Sequence, residues 1–196
     1  LPEFDKSTLE TLRQPLEDGF VTITRAAGTL TLPSRFMLVC AMNPCRCGWY
    51  GHPSGRCTCT DSQVQSYLRR ISGPLLDRID MHIDVPSVEY EAMRRKEQPE
   101  SSADVRVRVN AAREVQKKRY AGTDVSCNAY MTPAMIGQYC ALDAAGEKLM
   151  QGAFDRLGLT GRSHDRILRM ARTIADLEGA ESIEAAHLAE AIQYRS

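Results

Sequence analysis

Nowhere in this sequence does an apolar run approach the roughly 20 residues that a membrane-spanning helix needs, so a helical transmembrane segment is not expected. Leu1 to Lys6 also lack the basic-then-apolar pattern of an export signal, and a cytoplasmic, membrane-free protein is the expectation. Neither sign of charge dominates, because 25 Lys+Arg stand against 25 Asp+Glu. The balance excludes a uniformly basic or acidic chain and leaves the question of where charge clusters. Tandem repeats and low-complexity tracts are missing too. What is present is ordinary globular composition: 196 residues, 43% hydrophobic and 26% charged. That is enough for one large or two small domains with a buried core, and too much for a peptide hormone or a minimal disulfide scaffold.

The order of patterns divides the chain into an α/β part followed by an all-α part, changing over after Pro86 and in or before 97–102. Ser7, with Glu10 three residues on, reads as the capping box of a first helix that Gly19 terminates and Pro15 kinks. Phe20–Arg25 and Thr29–Leu32 alternate around Ala-Ala-Gly as a β-hairpin. Arg35–Met42 is a continuous apolar run, the pattern of a parallel strand covered on both faces, and Asp80–Pro86 alternates as a further strand. Between them, Asp61 is expected to cap a helix through Arg70 and Ser72 a short one to Arg78. Helices are then predicted over 87–96, 103–120, 132–140, 143–157, 161–177 and 182–194, with Gly158, Gly161 and Gly179 as punctuation.

Four of the seven cysteines fall between Pro44 and Thr60, as Cys45-X-Cys47 and Cys57-X-Cys59 with His52 between the pairs. Four thiolates complete a tetrahedral Zn²⁺ shell, and the intervening loop is long enough to bring the pairs together. A structural zinc knuckle competes here with free buried thiols, and disulfides come third because a reducing compartment is expected. A catalytic zinc would need an open position that four cysteines do not leave. Cys40, Cys127 and Cys140 read as core fillers, as do Tyr130, Tyr139 and Phe154, whereas His164 and His187 read as helix-surface residues.

Positive charge gathers in two places. On the 103–120 helix, Arg106, Asn110, Arg113 and Lys117 recur at helical spacing, opposite a face containing Val107, Ala111 and Val115. Such a stripe can follow a nucleic-acid backbone, and it is equally the pattern of a solvated helix. Arg162, Arg166 and Arg169 share one helix face, while Ile167, Leu168, Ala171, Ile174 and Ala175 form the other.

Several of these segments, read together, resemble a known family. Val21-Thr-Ile-Thr-Arg-Ala-Ala-Gly, Phe36-Met-Leu-Val-Cys-Ala-Met-Asn-Pro-Cys, the run Ile71 to Pro86, and Gly161 to Gly179 resemble the magnesium-chelatase-like AAA+ ATPases of the YifB/ComM branch. The likeness spans essentially the whole chain. It implies the second half of an AAA+ P-loop core followed by a helical lid, arranged as 1–86 core, 87–122 helical insertion and 123–196 lid. A working member also needs a Gly-Lys-Ser/Thr phosphate loop and an Asp-Glu pair, neither of which occurs here. In the family the Asp-Glu pair directly precedes the Leu-Pro-Glu-Phe of Leu1 to Phe4. The resemblance therefore implies a portion that does not hydrolyse ATP by itself, and Glu3 does not stand in for the lost carboxylate.

By the same resemblance, Asn43 takes the position of sensor 1, against a simpler role in an Asn-Pro turn. Arg78 takes that of the arginine finger acting in trans, against a surface arginine paired with Asp77 or Asp80; Arg25 is a weaker candidate for contact across subunits. Arg162 or Arg166 takes that of sensor 2, against a solvated face. The intact protein is then expected to be a homo-oligomeric ring, a hexamer, using ATP and Mg²⁺ to act on DNA as a helicase or branch-migration motor. A chelatase-like protein remodeller and a stand-alone zinc-containing DNA-binding module are the rivals.

Overall fold

A computed structural model describes residues 1–87 and 100–195 of the chain. These divide into two compact units, Leu1–Ile79 and Asp80–Ser196.

In the first unit, α1 (Lys6–Thr11) and α2 (Arg13–Asp18) interrupt at Leu12. Pro15 has no N–H to give to the Thr11 carbonyl, and its ring crowds that oxygen, so one helix cannot run through. Asp5, not Ser7, is the N-cap, and the expected capping box does not form. Gly19 closes α2 at φ 72°, a left-handed geometry that costs a non-glycine residue strain. The hairpin forms as expected from β1 (Phe20–Arg25) and β2 (Gly28–Pro33), antiparallel, with Val21 opposite Leu32 and Ile23 opposite Leu30. Helix α3 (Asp61–Leu68) is capped by Thr60 through a reciprocal box with Gln63, one residue before the expected Asp61, and α4 (Gly73–Leu76) by Ser72 as expected. Leu9, Ile71 and Leu75 form the buried centre of this unit, with Leu12, Leu16 and Leu76 around them.

Two expected strands do not form among the described residues. Residues 35–42 and 80–86 run without any ladder, and Met37 (87%) and Val85 (85%) are almost fully exposed. A strand is stable only when its N–H and C=O groups find a partner, and the hairpin is the one sheet among the described residues. Cys40 lies in the first of these segments and is exposed, not a core filler.

The second unit is helical and close to its sequence pattern: α5 (Ser102–Arg119), α6 (Pro133–Tyr139), α7 (Ala144–Leu157), α8 (Gly161–Glu178) and α9 (Ala185–Gln193), with a 3₁₀ turn at Asn128–Tyr130. Ser101, Thr132, Asp143 and Thr160 cap four of these helices by accepting backbone N–H bonds. The helix expected over 87–96 lies outside the described residues. Helix α8 is the central element: Ile167, Leu168, Ala171 and Ile174 are buried against Ile136, Met150, Ala153, Leu188, Ala191 and Ile192. Each Ile, Leu or Met side chain among them contributes about 1.5–3 kcal/mol by its withdrawal from water.

Two expectations are corrected here, and the packed side of α5 is defined. His187 is 2% exposed, not a surface group: its Nδ1 accepts the Glu184 backbone N–H at 2.9 Å, closing the start of α9, and Nε2 meets Glu178 at 2.9 Å. Tyr130 (44%) and Phe154 (39%) are exposed, not core. On α5 the buried residues are Ala112 and Gln116, whereas Val107 (71%) and Val115 (41%) face solvent. The valine face is therefore not the packed one, because the 3₁₀ turn and α8 take their contacts from the Ala112–Gln116 side.

Candidate metal centre and arginine sites

Asn43 and Pro44 lead out of the extended segment into the cysteine loop, where Cys45 turns fully inward. The two Cys-X-Cys pairs fold onto each other, and all four sulfurs lie within 4.8 Å of one another. Cys45 Sγ is 3.3 Å from Cys47 and 3.8 Å from Cys57, and Cys47 is 3.6 Å from Cys57. A tetrahedral ion with bonds of about 2.3 Å to sulfur requires edges of about 3.8 Å, so small shifts of the four thiols would seat such an ion. They are too far apart for disulfides, whose sulfurs bond at about 2.05 Å. His52 stands outside the set, its Nδ1 accepting the Ser54 N–H at 3.0 Å and its ring set edge-on to Trp49.

Backbone amides surround this cluster, which is the other requirement of a thiolate site. The N–H groups of Trp49 and Thr58, followed by the Cys45 thiol, lower Cys47 to about 6. Burial and the Cys47 thiol push Cys45 up, but the Tyr50, Trp49 and Cys47 N–H groups outweigh them and its pKa falls. Cys57 receives the Cys59 N–H, yet burial and the neighbouring Cys47 and Cys45 raise it to about 11. Thiols crowded this closely cannot all ionise unless a cation shares their charge.

The arginines are placed as follows. In the first unit Arg78 ion-pairs with Glu17, and its Nη1 donates to the Pro74 carbonyl at 2.7 Å. Asn43 is exposed beside the buried Tyr67, toward which its backbone N–H is directed. In the second unit Arg162 is exposed at the start of α8, Arg166 pairs with Asp80 at 2.6 Å, and Arg169 donates to the Met131 carbonyl at 2.8 Å. The three share a face, but Arg169 is turned to the protein's own backbone. Arg106, Arg113 and Lys117 are exposed on α5, with Lys117 3.7 Å from Glu114.

The sequence reading passed over a buried polar centre. Asp176, whose side chain is 0% exposed, accepts Arg119 through both oxygens at 2.7 and 2.5 Å, Asn128 at 2.8 Å and Arg172 at 3.1 Å. Arg172 also donates to the Glu181 and Ala180 carbonyls at 2.9 and 2.6 Å, satisfying the chain beyond the end of α8. Arg172 and Asp176 stand four apart on the apolar face of α8, and that was the available signal.

The two halves match separate descriptions of one enzyme type. Residues 1–93 match the family model "Magnesium chelatase, subunit ChlI", and 99–195 match "Magnesium chelatase, subunit ChlI C-terminal". Among curated proteins, the chain is 42% identical over 197 residues to the competence protein ComM of Haemophilus influenzae, and 41% identical to YifB of Escherichia coli. An uncharacterized protein of Mycobacterium tuberculosis is 35% identical over 193 residues. Those alignments cover 98–100% of this chain and 38% of each relative. The chain belongs to the magnesium-chelatase-like YifB/ComM family. It spans about two fifths of the length of the relatives it matches.

Proposed function

We propose that this chain supplies the sensing and lid portion of a ring-forming AAA+ ATPase that works on DNA. The single observation behind the reading is the 42% identity to a competence protein across all of this chain. In this reading residues 1–86 are the second half of the P-loop core, 87–122 a helical insertion and 123–196 the lid. The segments 35–42 and 80–86 are then core strands whose partners come from the rest of the longer protein. ATP and Mg²⁺ are bound chiefly by residues outside this chain, since it holds neither a Gly-Lys-Ser/Thr loop nor an Asp-Glu pair.

Within that arrangement Asn43 hydrogen-bonds a terminal phosphate oxygen or the attacking water. Arg78 exchanges Glu17 for the nucleotide of a neighbouring subunit, where its fixed charge offsets charge developing in the transition state. Arg162 or Arg166 reports the same phosphate to the lid, and loss of that contact frees the lid to move. Cys45, Cys47, Cys57 and Cys59 hold a structural Zn²⁺ that fixes the loop just after Asn43. With four thiolates its shell is closed, and it contributes no catalytic water.

ATP turnover by the full-length protein, measured without DNA and with single-stranded or branched DNA, tests this. Strong stimulation by DNA supports a DNA motor. Active turnover indifferent to DNA overturns that substrate and favours the remodelling of a partner protein.

A further inference from the structure

The cysteine loop carries more than its four sulfurs. The 42 residues from Gly19 to Thr60 contain Arg25, Arg35, Arg46 and Arg56, and none of the chain's 25 Asp+Glu. With acids making up about one residue in eight, so long a gap concentrates positive charge on one stretch of a neutral protein. A Zn²⁺ held by four thiolates would carry two negative charges and leave the segment positive.

On this background the loop displays its aromatics outward. Trp49 is the only tryptophan, and it stays 37% exposed while Tyr50 stays 46% exposed. Their position follows from the sulfur cluster, because the backbone N–H groups of both residues are directed at Cys45. The Arg56 guanidinium lies 5.2 Å from the Trp49 ring centre, and His52 meets the indole edge-on at 4.9 Å. Arg46 and Arg56 are exposed on either side.

We infer that this loop is a stacking site for single-stranded nucleic acid, with Trp49 and Tyr50 taking bases and Arg46 and Arg56 taking the flanking phosphates. Exposed aromatic faces held rigid beside arginines are what binding of a single strand without sequence preference requires. The same residue types anchor protein interfaces. The lack of any acid along the stretch from Gly19 to Thr60 decides in favour of a polyanion. The site rests on the proposal that the intact protein acts on DNA, and it adds a contact independent of the basic helix α5.

The test is equilibrium binding of a thymidine homopolymer to the full-length protein by filter retention at several salt concentrations, with metal content and DNA-independent ATP turnover as controls. Trp49→Ala and Tyr50→Ala should each weaken binding about fivefold or more, and Trp49→Phe should restore most of it. Arg46→Gln and Arg56→Gln should each reduce the slope of log affinity against log salt by about 0.7. If Trp49→Ala loses metal, Tyr50→Ala and the two slopes decide. Binding by the parent with unchanged affinity in both aromatic variants and unchanged slopes overturns this site and leaves the DNA motor standing. A parent protein that does not bind the homopolymer or branched DNA overturns both. Variants that keep DNA affinity but lose a co-purifying protein make the loop a protein contact, which also overturns the inference.

Discussion

Arg119 at the end of α5 and Asp176 near the end of α8, 57 residues apart, meet in a two-pronged ion pair of 2.7 and 2.5 Å. Asn128 and Arg172 complete the carboxylate's partners, so one acid ties the long basic helix and the 3₁₀ turn to the centre of the helical unit. Removing it leaves buried guanidinium groups without a counter-charge. Asp176→Ala is expected to destabilise this unit by about 3–5 kcal/mol. Urea unfolding checks it, and a loss below about 1 kcal/mol would show the pair to be dispensable.

The same carboxylate predicts a pH dependence. Burial alone would raise Asp176, but hydrogen bonds from Arg119 and Asn128 and the charges of Arg119 and Arg172 hold it below the usual carboxylate range. The unfolded chain therefore takes up this proton first as acid is added. The stabilisation is complete above the unfolded value of about 3.9 and is lost as pH falls through the depressed folded value. The stability gap between the parent and Asp176→Asn should be constant near neutrality and shrink below about pH 4. A gap that widens on acidification would contradict the assignment.

Purified under reducing conditions, the full-length protein should carry about one equivalent of zinc. Cys47→Ser should lower that content, while Cys40→Ser, which changes an exposed thiol outside the cluster, should leave it unchanged. Less than about a tenth of an equivalent in the parent would argue for plain thiols.

Arg78→Ala in the full-length protein should reduce ATP turnover by about a thousandfold or more while nucleotide affinity stays within a few-fold. Mixing the variant with a subunit unable to bind nucleotide should restore part of the activity if the arginine acts across a boundary. Undiminished turnover would return Arg78 to a structural role beside Glu17.

Leu188 is fully buried against α8. Leu188→Ala should lower stability by about 2–5 kcal/mol through lost burial and the cavity left behind. A change under about 1 kcal/mol in thermal or urea unfolding would show that the α8–α9 contact is not a principal one.

The helical unit was nearly all legible because its signals are local: a capping hydroxyl or carboxylate, a 3.6-residue apolar stripe and a closing glycine. Asp143, Gly158 and Gly179 fall where the pattern put them. The strands read over 35–42 and 80–86 have no ladder among the described residues, because a ladder depends on a partner that the pattern of one segment cannot report. The cysteine spacing announced its cluster, since short Cys-X-Cys pairs have few other uses. The Arg119–Asp176 pair was silent: its members lie far apart, and an arginine on an apolar face reads as noise until the acid that neutralises it is seen. His187 was missed for a related reason, because a histidine that closes its own helix looks like any polar residue near a helix start.

The unladdered segment at 35–42 also bears on the handling of this stretch as an isolated polypeptide. Met37 and Val39, 87% and 81% exposed, alternate along a backbone without a neighbouring strand, which is the template on which cross-molecule β-pairing grows. Aggregation should therefore start here and not in the helical unit. One lysine in place of Val39 should slow it without disturbing either hydrophobic core.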